Sequence, residues 1–204
     1  MKKSEVPKIL LECAELYKTN LVNRSLLFVF NNSGVVESLE VICLPRNYLH
    51  LTGIVLNDNN LKSIEFYEMC IDKRLSPSTY KLSKNGTTQM KLSVLNQVMN
   101  IHKTAKMVGD YTDTNSVLVK EKLAGTITAC MGFVHDQGKR NSYVPNTVLR
   151  GDIRNVVDST KNVLAIFRKS KDEPIYRECT YLAKSVSLES ILSGTLKSKV
   201  EIEH

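Results

Sequence analysis

No stretch of this chain approaches the roughly 18 consecutive apolar residues that a membrane-crossing helix needs, so a transmembrane segment is excluded. The opening residues, Met1-Lys2-Lys3-Ser4-Glu5, pass into an amphipathic stretch, which argues against a secretory signal. There is no Cys-x-x-Cys pair. The five cysteines (Cys13, Cys43, Cys70, Cys130 and Cys179) are odd in number, widely spaced and without a histidine at zinc-ligand spacing, which speaks against both a zinc site and a disulfide framework. Each falls within an apolar helix or strand pattern, where a free thiol behaves as a small hydrophobe, and a reducing cytosol is the expected compartment. Also missing are a P-loop, GxGxxG, HExxH, GxSxG and an EF-hand loop. The four histidines lie far apart in sequence, so a metal would need ligands from distant segments. Chemistry without a cofactor is the economical expectation. No repeat, low-complexity run or linker divides the chain.

What is present is a basic excess. Twenty-eight Lys and Arg against 21 Asp and Glu leave a net charge of +7. Residues 1–68 carry 7 basic and 8 acidic side chains, residues 69–136 carry 9 and 5, and residues 137–204 carry 12 and 8. A polyanion partner fits this excess in the last two thirds, because a positive face speeds encounter with phosphate backbones. A solvated lysine-rich surface fits it equally well. With 42% hydrophobic and 24% charged residues, 204 residues suit one domain, with or without an appendage.

The pattern along the chain is helices first, then strands. Val6, Ile9, Leu10, Cys13, Leu16 and Tyr17 recur at helical spacing, with Pro7 in the first turn, where its missing N–H costs nothing. Two β-rich runs, Leu26–Phe30 and Leu39–Leu44, flank the turn signal beginning Asn31-Asn32-Ser33-Gly34 and predict a hairpin. Helical periodicity returns over Leu61–Ile71, and again from the turn Lys84–Thr88 through Leu92, Leu95, Val98, Met99 and His102. Candidate strands follow at Lys106–Tyr111, Ser116–Lys120, Thr126–Val134, Tyr143–Leu149, Val163–Lys169 and Tyr176–Ala183. Ala124-Gly125 reads as a turn, and short helices are expected at Asp152 and Ser187. Helices leading into consecutive antiparallel strands make an α+β fold. The expected division is a helix-and-hairpin extension over 1–45, a main domain over 46–196 and a frayed tail over 197–204.

Three segments carry chemistry. Strand-like alternation in Tyr48–Ile54 sets Tyr48, His50 and Thr52 on one face and Leu49, Leu51 and Gly53 on the other. A half-exposed strand with a satisfied histidine would look the same. Pro145 inside Tyr143-Val144-Pro145-Asn146-Thr147 predicts an edge strand or a bulge, an irregularity that re-aims side chains at sites. Asp152 beyond it also reads as a simple helix cap beside Arg154. Lys139 and Arg140 in a loop, and Arg168, Lys169 and Lys171 near a strand end, suit a phosphate-bearing substrate or merely solvate the surface. His135, beside Asp136 at a loop start, is a lesser candidate acid, and His102 near a helix C-terminus reads as structural.

In order, HLTGI (50–54), FYEMCIDKRLS (66–76), GTTQMKLSVL (86–95), AKMVGDY (105–111) and YVPNTVLRGDIR (143–154) resemble the phage-associated Barnase–EndoU–colicin–RelE-like nuclease domains of the fourth group. The likeness runs from about Tyr48 to Tyr176. It implies helices packed on an antiparallel sheet and metal-independent RNA cleavage by 2′-OH attack, in a phage or mobile-element effector with RNA (tRNA or mRNA) as partner. An immunity or host defence protein would be a further partner. On that footing His50 is the general acid/base and Thr52 orients substrate, while Lys91 or Lys169 stabilises charge. Tyr143 and Thr147 are further donors, and Arg154, Lys169, Lys139 and Arg140 contact substrate phosphates. Two other readings compete: a non-catalytic module that binds nucleic acid or protein, and an ADP-ribosyl transferase using His50, Tyr143 and Glu178.

Overall fold

The computed structural model describes residues 3–111, 122–136 and 142–202. Helix α1 (Val6–Asn20) follows the predicted stripe and buries Val6, Leu10, Cys13, Ala14 and Tyr17. Strands β1 (Arg24–Asn32) and β2 (Val35–Cys43) form the expected hairpin. Its two-residue turn has Ser33 at φ +51° and Gly34 at φ +90°, and positive φ at both positions matches the right-handed strand twist. Next come α2 (Tyr48–Thr52), β3 (Ile54–Leu56), α3 (Ser63–Ile71), β4 (Tyr80–Leu82), α4 (Thr87–Val98) and α5 (Ile101–Thr104). The β-rich half holds β5 (Met107–Tyr111), β6 (Lys122–Gly125), β7 (Ala129–His135), β8 (Tyr143–Arg150), β9 (Val157–Ser170) and β10 (Glu178–Leu182), with α6 (Leu188–Ile191) last. No helix among the described residues is long and apolar enough to cross a membrane.

The fold is α+β as expected, but in place of the antiparallel sheet expected the strands close on themselves with one parallel seam. Their order is β1-β2-β8-β7-β6-β5-β9, and β9 returns to β1, giving a seven-stranded barrel with β10 added beside β9. Closure comes from the 14-residue β9, which pairs with β5 through Val157–Asn162 and with β1 through Val163–Ser170. Only the second half of β9 has a strand-like sequence. Its first half, Asp158-Ser159-Thr160-Lys161-Asn162, is polar and mostly exposed, so apolar alternation could not reveal it.

One seam differs from the rest. β2 and β8 run parallel and share a single registered pair, Val41 with Tyr143. Where they part, α2 and α4 pack on β8. One core therefore runs from the helices (Leu10, Tyr17, Tyr48, Phe66, Leu95) to strand residues Phe28, Met131, Phe133, Val148 and Ile166. On the other face, Leu27, Val29 and Phe167 pack with Tyr176, Ile191, Leu196 and Val200.

Further differences have local causes. Tyr48–Thr52 is a helix, not a strand: Tyr48, Leu51 and Thr52 are buried at i, i+3 and i+4, which leaves His50 on the opposite, exposed face. The expected helix from Asp152 is one 3-10 turn, Ile153–Asn155. Ala124-Gly125 ends β6 instead of turning the chain, and the turn follows at Thr126–Thr128, where the Thr126 hydroxyl accepts from the Thr128 N–H at 3.2 Å. The end expected to fray is packed as far as Val200, which is buried and bridges Tyr176. The candidate strand Ser116–Lys120 lies outside the described residues. Helix α1 and the hairpin, expected as an extension, take part in the main core and in the barrel wall.

β5 and β9 meet so closely that a Cβ on Gly109 would stand 2.8 Å from the Val157 side chain and 2.9 Å from the Ser159 carbonyl. Gly109→Ala should therefore cost about 1–3 kcal/mol by overpacking. A thermal melt checks this, at ~2–4 °C per kcal/mol for a chain of this size; an unchanged Tm would contradict the tight junction.

Candidate active-site cleft

An open cleft of about 740 Å³ lies between α2, β3, the loops before α3 and α4, and β8. His50, Lys91 and Thr147 line it together, from three elements distant in sequence. The short helix α2 holds His50 there through its buried face. Tyr48 donates its hydroxyl to the Leu10 carbonyl at 2.6 Å and packs against Tyr17, Phe66 and Tyr67. Thr52 is fully buried, donating to the Leu49 carbonyl at 2.7 Å and accepting from the Ile54 N–H at 3.1 Å. Both hydrogen bonds of Thr52 thus serve the turn out of α2, and its hydroxyl does not line the cleft.

A helix this short leaves its last carbonyls in need of donors. α4 supplies them. Lys91, 9% exposed, donates Nζ to the His50 carbonyl at 2.7 Å, and Thr88 donates Oγ1 to the Gly53 carbonyl at 2.6 Å. The Thr88 hydroxyl also accepts from the Ser83 N–H at 2.8 Å, drawing the loop before α4 into the same joint. Gly53 permits the approach. It sits at φ +68°, and a Cβ there would lie 3.0 Å from Lys91 Cδ and 3.3 Å from Thr88 Cα.

This joint sets the electrostatics. The exposed His50 imidazole has its pKa lowered from 6.5, first by partial desolvation and then by the Lys91 ammonium. It is therefore mainly neutral at pH 7, the form that accepts a proton. Beyond His50, Lys91 and Thr147, sequence reasoning assigned no catalytic or binding role to a member of the cleft. Asp58, Asn59, Ser83, Asn85, Thr87 and Asn146 also line it. Asn85 and Thr87 stand in the stretch Lys84–Thr88, legible only as a turn. Asn85 Oδ1, for example, accepts from the Thr87 N–H at 3.1 Å. Among the described residues no group of three or more His, Cys, Asp or Glu side chains is arranged to hold a metal.

The other expected site residues stand elsewhere. Tyr143 lines a separate cavity of about 140 Å³ with Asp110, Lys122 and Lys161, and its ring lies 4.2 Å from that of His135. Asp110 is occupied there by Lys122 and by Lys161 at 3.4 Å. Arg154 closes on Asp152, with Nε 2.9 Å and Nη2 2.5 Å from Oδ2. Lys169 donates to the Pro174 carbonyl at 3.2 Å and covers the Tyr176 ring at 4.5 Å. Lys139 and Arg140 lie outside the described residues. Glu178 pairs with Arg168 at 2.6 Å, so His50, Tyr143 and Glu178 do not share a cavity, as an ADP-ribosyl transferase site would require. His102, 5% exposed, has its pKa pushed down to about 4 by burial, Arg168 and Lys103, which fits its structural reading.

Comparison with family models matches residues 9–185 to the description phage-Barnase-EndoU-ColicinE5/D-RelE like nuclease4. The chain belongs to this family of nucleases. The match takes in α1 and the β1–β2 hairpin as well as the cleft, and membership makes nucleic acid the general substrate class. Comparison with curated proteins and with solved structures returned no match.

Lys91→Met keeps most of the side-chain bulk and removes the charge. The His50 pKa should then rise but stay below 6.5, because desolvation, its larger cause, remains. An NMR titration of the imidazole measures this. A fall or no change would show that Lys91 does not set the charge state of His50.

Proposed function

We propose that the chain is a metal-independent endoribonuclease of phage or mobile-element origin that cleaves RNA through its own 2′-hydroxyl, with His50 as the base. The observation that carries this reading is a neutral, exposed imidazole on the rim of a cleft whose wall contains the buried ammonium of Lys91. His50 takes the 2′-OH proton, the 2′-oxygen attacks the adjacent phosphorus, and the P–O5′ bond breaks. The products are a 2′,3′-cyclic phosphate and a 5′-hydroxyl. Lys91 supplies positive charge to the phosphoryl oxygens and stands as the proton donor to the departing 5′-oxygen, since Tyr143 lines another cavity. Thr147 adds a hydroxyl donor from β8.

Arg154 and Lys169 do not line the cleft, so the substrate's further phosphates would meet other parts of the basic surface. A module that binds nucleic acid without turnover would use the same cleft, and the assay separates the two.

Purified protein should cleave RNA in EDTA and leave cyclic-phosphate ends, with His50→Ala lowering the rate by about 10²-fold or more, as for loss of a positioned base. Salt-sensitive binding without turnover, or full activity in a correctly folded His50→Ala variant, would overturn the reading. The pH dependence carries a sign. Because the His50 pKa is lowered, kcat/KM should be flat near pH 7 and fall only as pH drops through a midpoint below 6.5. A midpoint above 6.5 would remove His50 from the base role.

A further inference from the structure

The irregularity in β8 has a direct effect on what the cleft displays. In a regular strand, successive side chains leave on opposite faces, and an extra residue breaks that alternation. Asn146 and Thr147 of β8 line the cleft at such a break. The register places it. Gly132 of β7 opposes Thr147 while Phe133 opposes Pro145, so Asn146 is the extra residue of a β-bulge. Pro145, with no N–H to donate, marks the point where the ladder breaks. Val148 immediately afterwards returns to the main core, so the strand resumes its pattern and the bulge is confined to these residues.

The Asn146 side chain is half-buried, and no hydrogen bond is formed by its carboxamide within the described residues. That contrasts with Asn85 across the cleft, whose Oδ1 accepts from both the backbone N–H and the hydroxyl of Thr87. Among the described residues the buried polar atoms without a partner are His102 Nδ1 and Ser142 Oγ, so the Asn146 amide is open to solvent and a ligand in the cleft can take the place of water there. The surroundings favour one ligand class. Lys91 is the single Lys or Arg lining the cleft among the described residues and the carboxylate of Asp58 lines it too, so the cleft suits about one phosphate and not a run of them. Its apolar wall comes from Leu49, Val55, Leu56 and Leu61, with Val55 42% exposed. Aliphatic residues and an amide donor and acceptor lining one cleft match the face and edge of an unstacked nucleobase.

We infer that Asn146 is the residue that reads a nucleobase, making the β8 bulge a base-specificity subsite for single-stranded RNA beside the scissile phosphate. This rests on the ribonuclease reading for the position of the phosphate, but the recognition itself can be measured without cleavage. Four 2′-O-methyl RNA hexamers that differ only in one central base lack the attacking hydroxyl, so binding by full-length protein reports recognition alone. The wild type should rank the four bases with a spread of about tenfold, a modest value for one two-point hydrogen-bond pair. Asn146→Ala should compress that spread to about twofold. Asn146→Asp, nearly isosteric and therefore a check against misfolding, replaces the amide donor with an acceptor and should move the ranking toward guanine, whose edge offers two neighbouring donors. Equal binding of all four bases by wild type, no binding of any, or retention of the wild-type ranking by both variants would overturn the inference. A base preference with no cleavage of the matching unmodified hexamers would leave the subsite standing and overturn the ribonuclease reading instead.

Discussion

The 2.7 Å bond from the Lys91 ammonium to the His50 carbonyl is the contact on which the cleft depends. It joins a five-residue helix to one of twelve residues, and a helix of α2's length has too few internal bonds to hold its own shape. Tertiary contacts must hold it. Tyr48 anchors one end in the aromatic core, and Lys91 with Thr88 satisfies the carbonyls at the other. The same ammonium then acts on the imidazole two bonds of logic away: fixing the backbone of residue 50 places a positive charge where it disfavours the imidazolium. One side chain thus contributes to both position and protonation state, beside the desolvation that is the larger cause of the shift. Burying a lysine is unfavourable unless it is paired, and a helix C-terminus is a favourable partner for it.

Much of the architecture was legible from the residues. Helix α1, the β1–β2 hairpin, α3, α4 and the strand at Tyr143 all announced themselves through helical period, apolar β-rich runs and turn chemistry, which are local properties of each segment. Barrel closure was not. It rests on a polar half-strand, Asp158–Asn162, whose place is set by pairing with β5 and by the absence of a side chain at Gly109. That is tertiary information, invisible to any pattern within one segment.

The site shows the same division. His50 stood out as a histidine ahead of a glycine in an aliphatic setting, but alternation assigned it the wrong companions. In the helix that forms, residues 48, 51 and 52 go inward together, and Thr52 becomes internal support. Lys91 and Thr147 join His50 because α4 and β8 pass beside α2, which sequence order alone does not disclose. The cations drew attention through their charge, yet Arg154 and Lys169 are already engaged by an acidic neighbour, a carbonyl and an aromatic ring. A basic residue count measures attraction at a distance. It says little about which ammonium meets a phosphate.

The barrel's closing strand also sets a schedule. β1, at residues 24–32, finds its second neighbour only in residues 163–170 of β9. During synthesis from the N-terminus, the hairpin and the helices can assemble early, as local contacts allow. The wall behind them cannot close until Ser170 has left the ribosome, because no earlier strand offers β1 a partner on that edge. α2 and α4 lean on β8, which belongs to that wall, so the cleft is completed late. Long-range closure delays its maturation until translation of the barrel is finished.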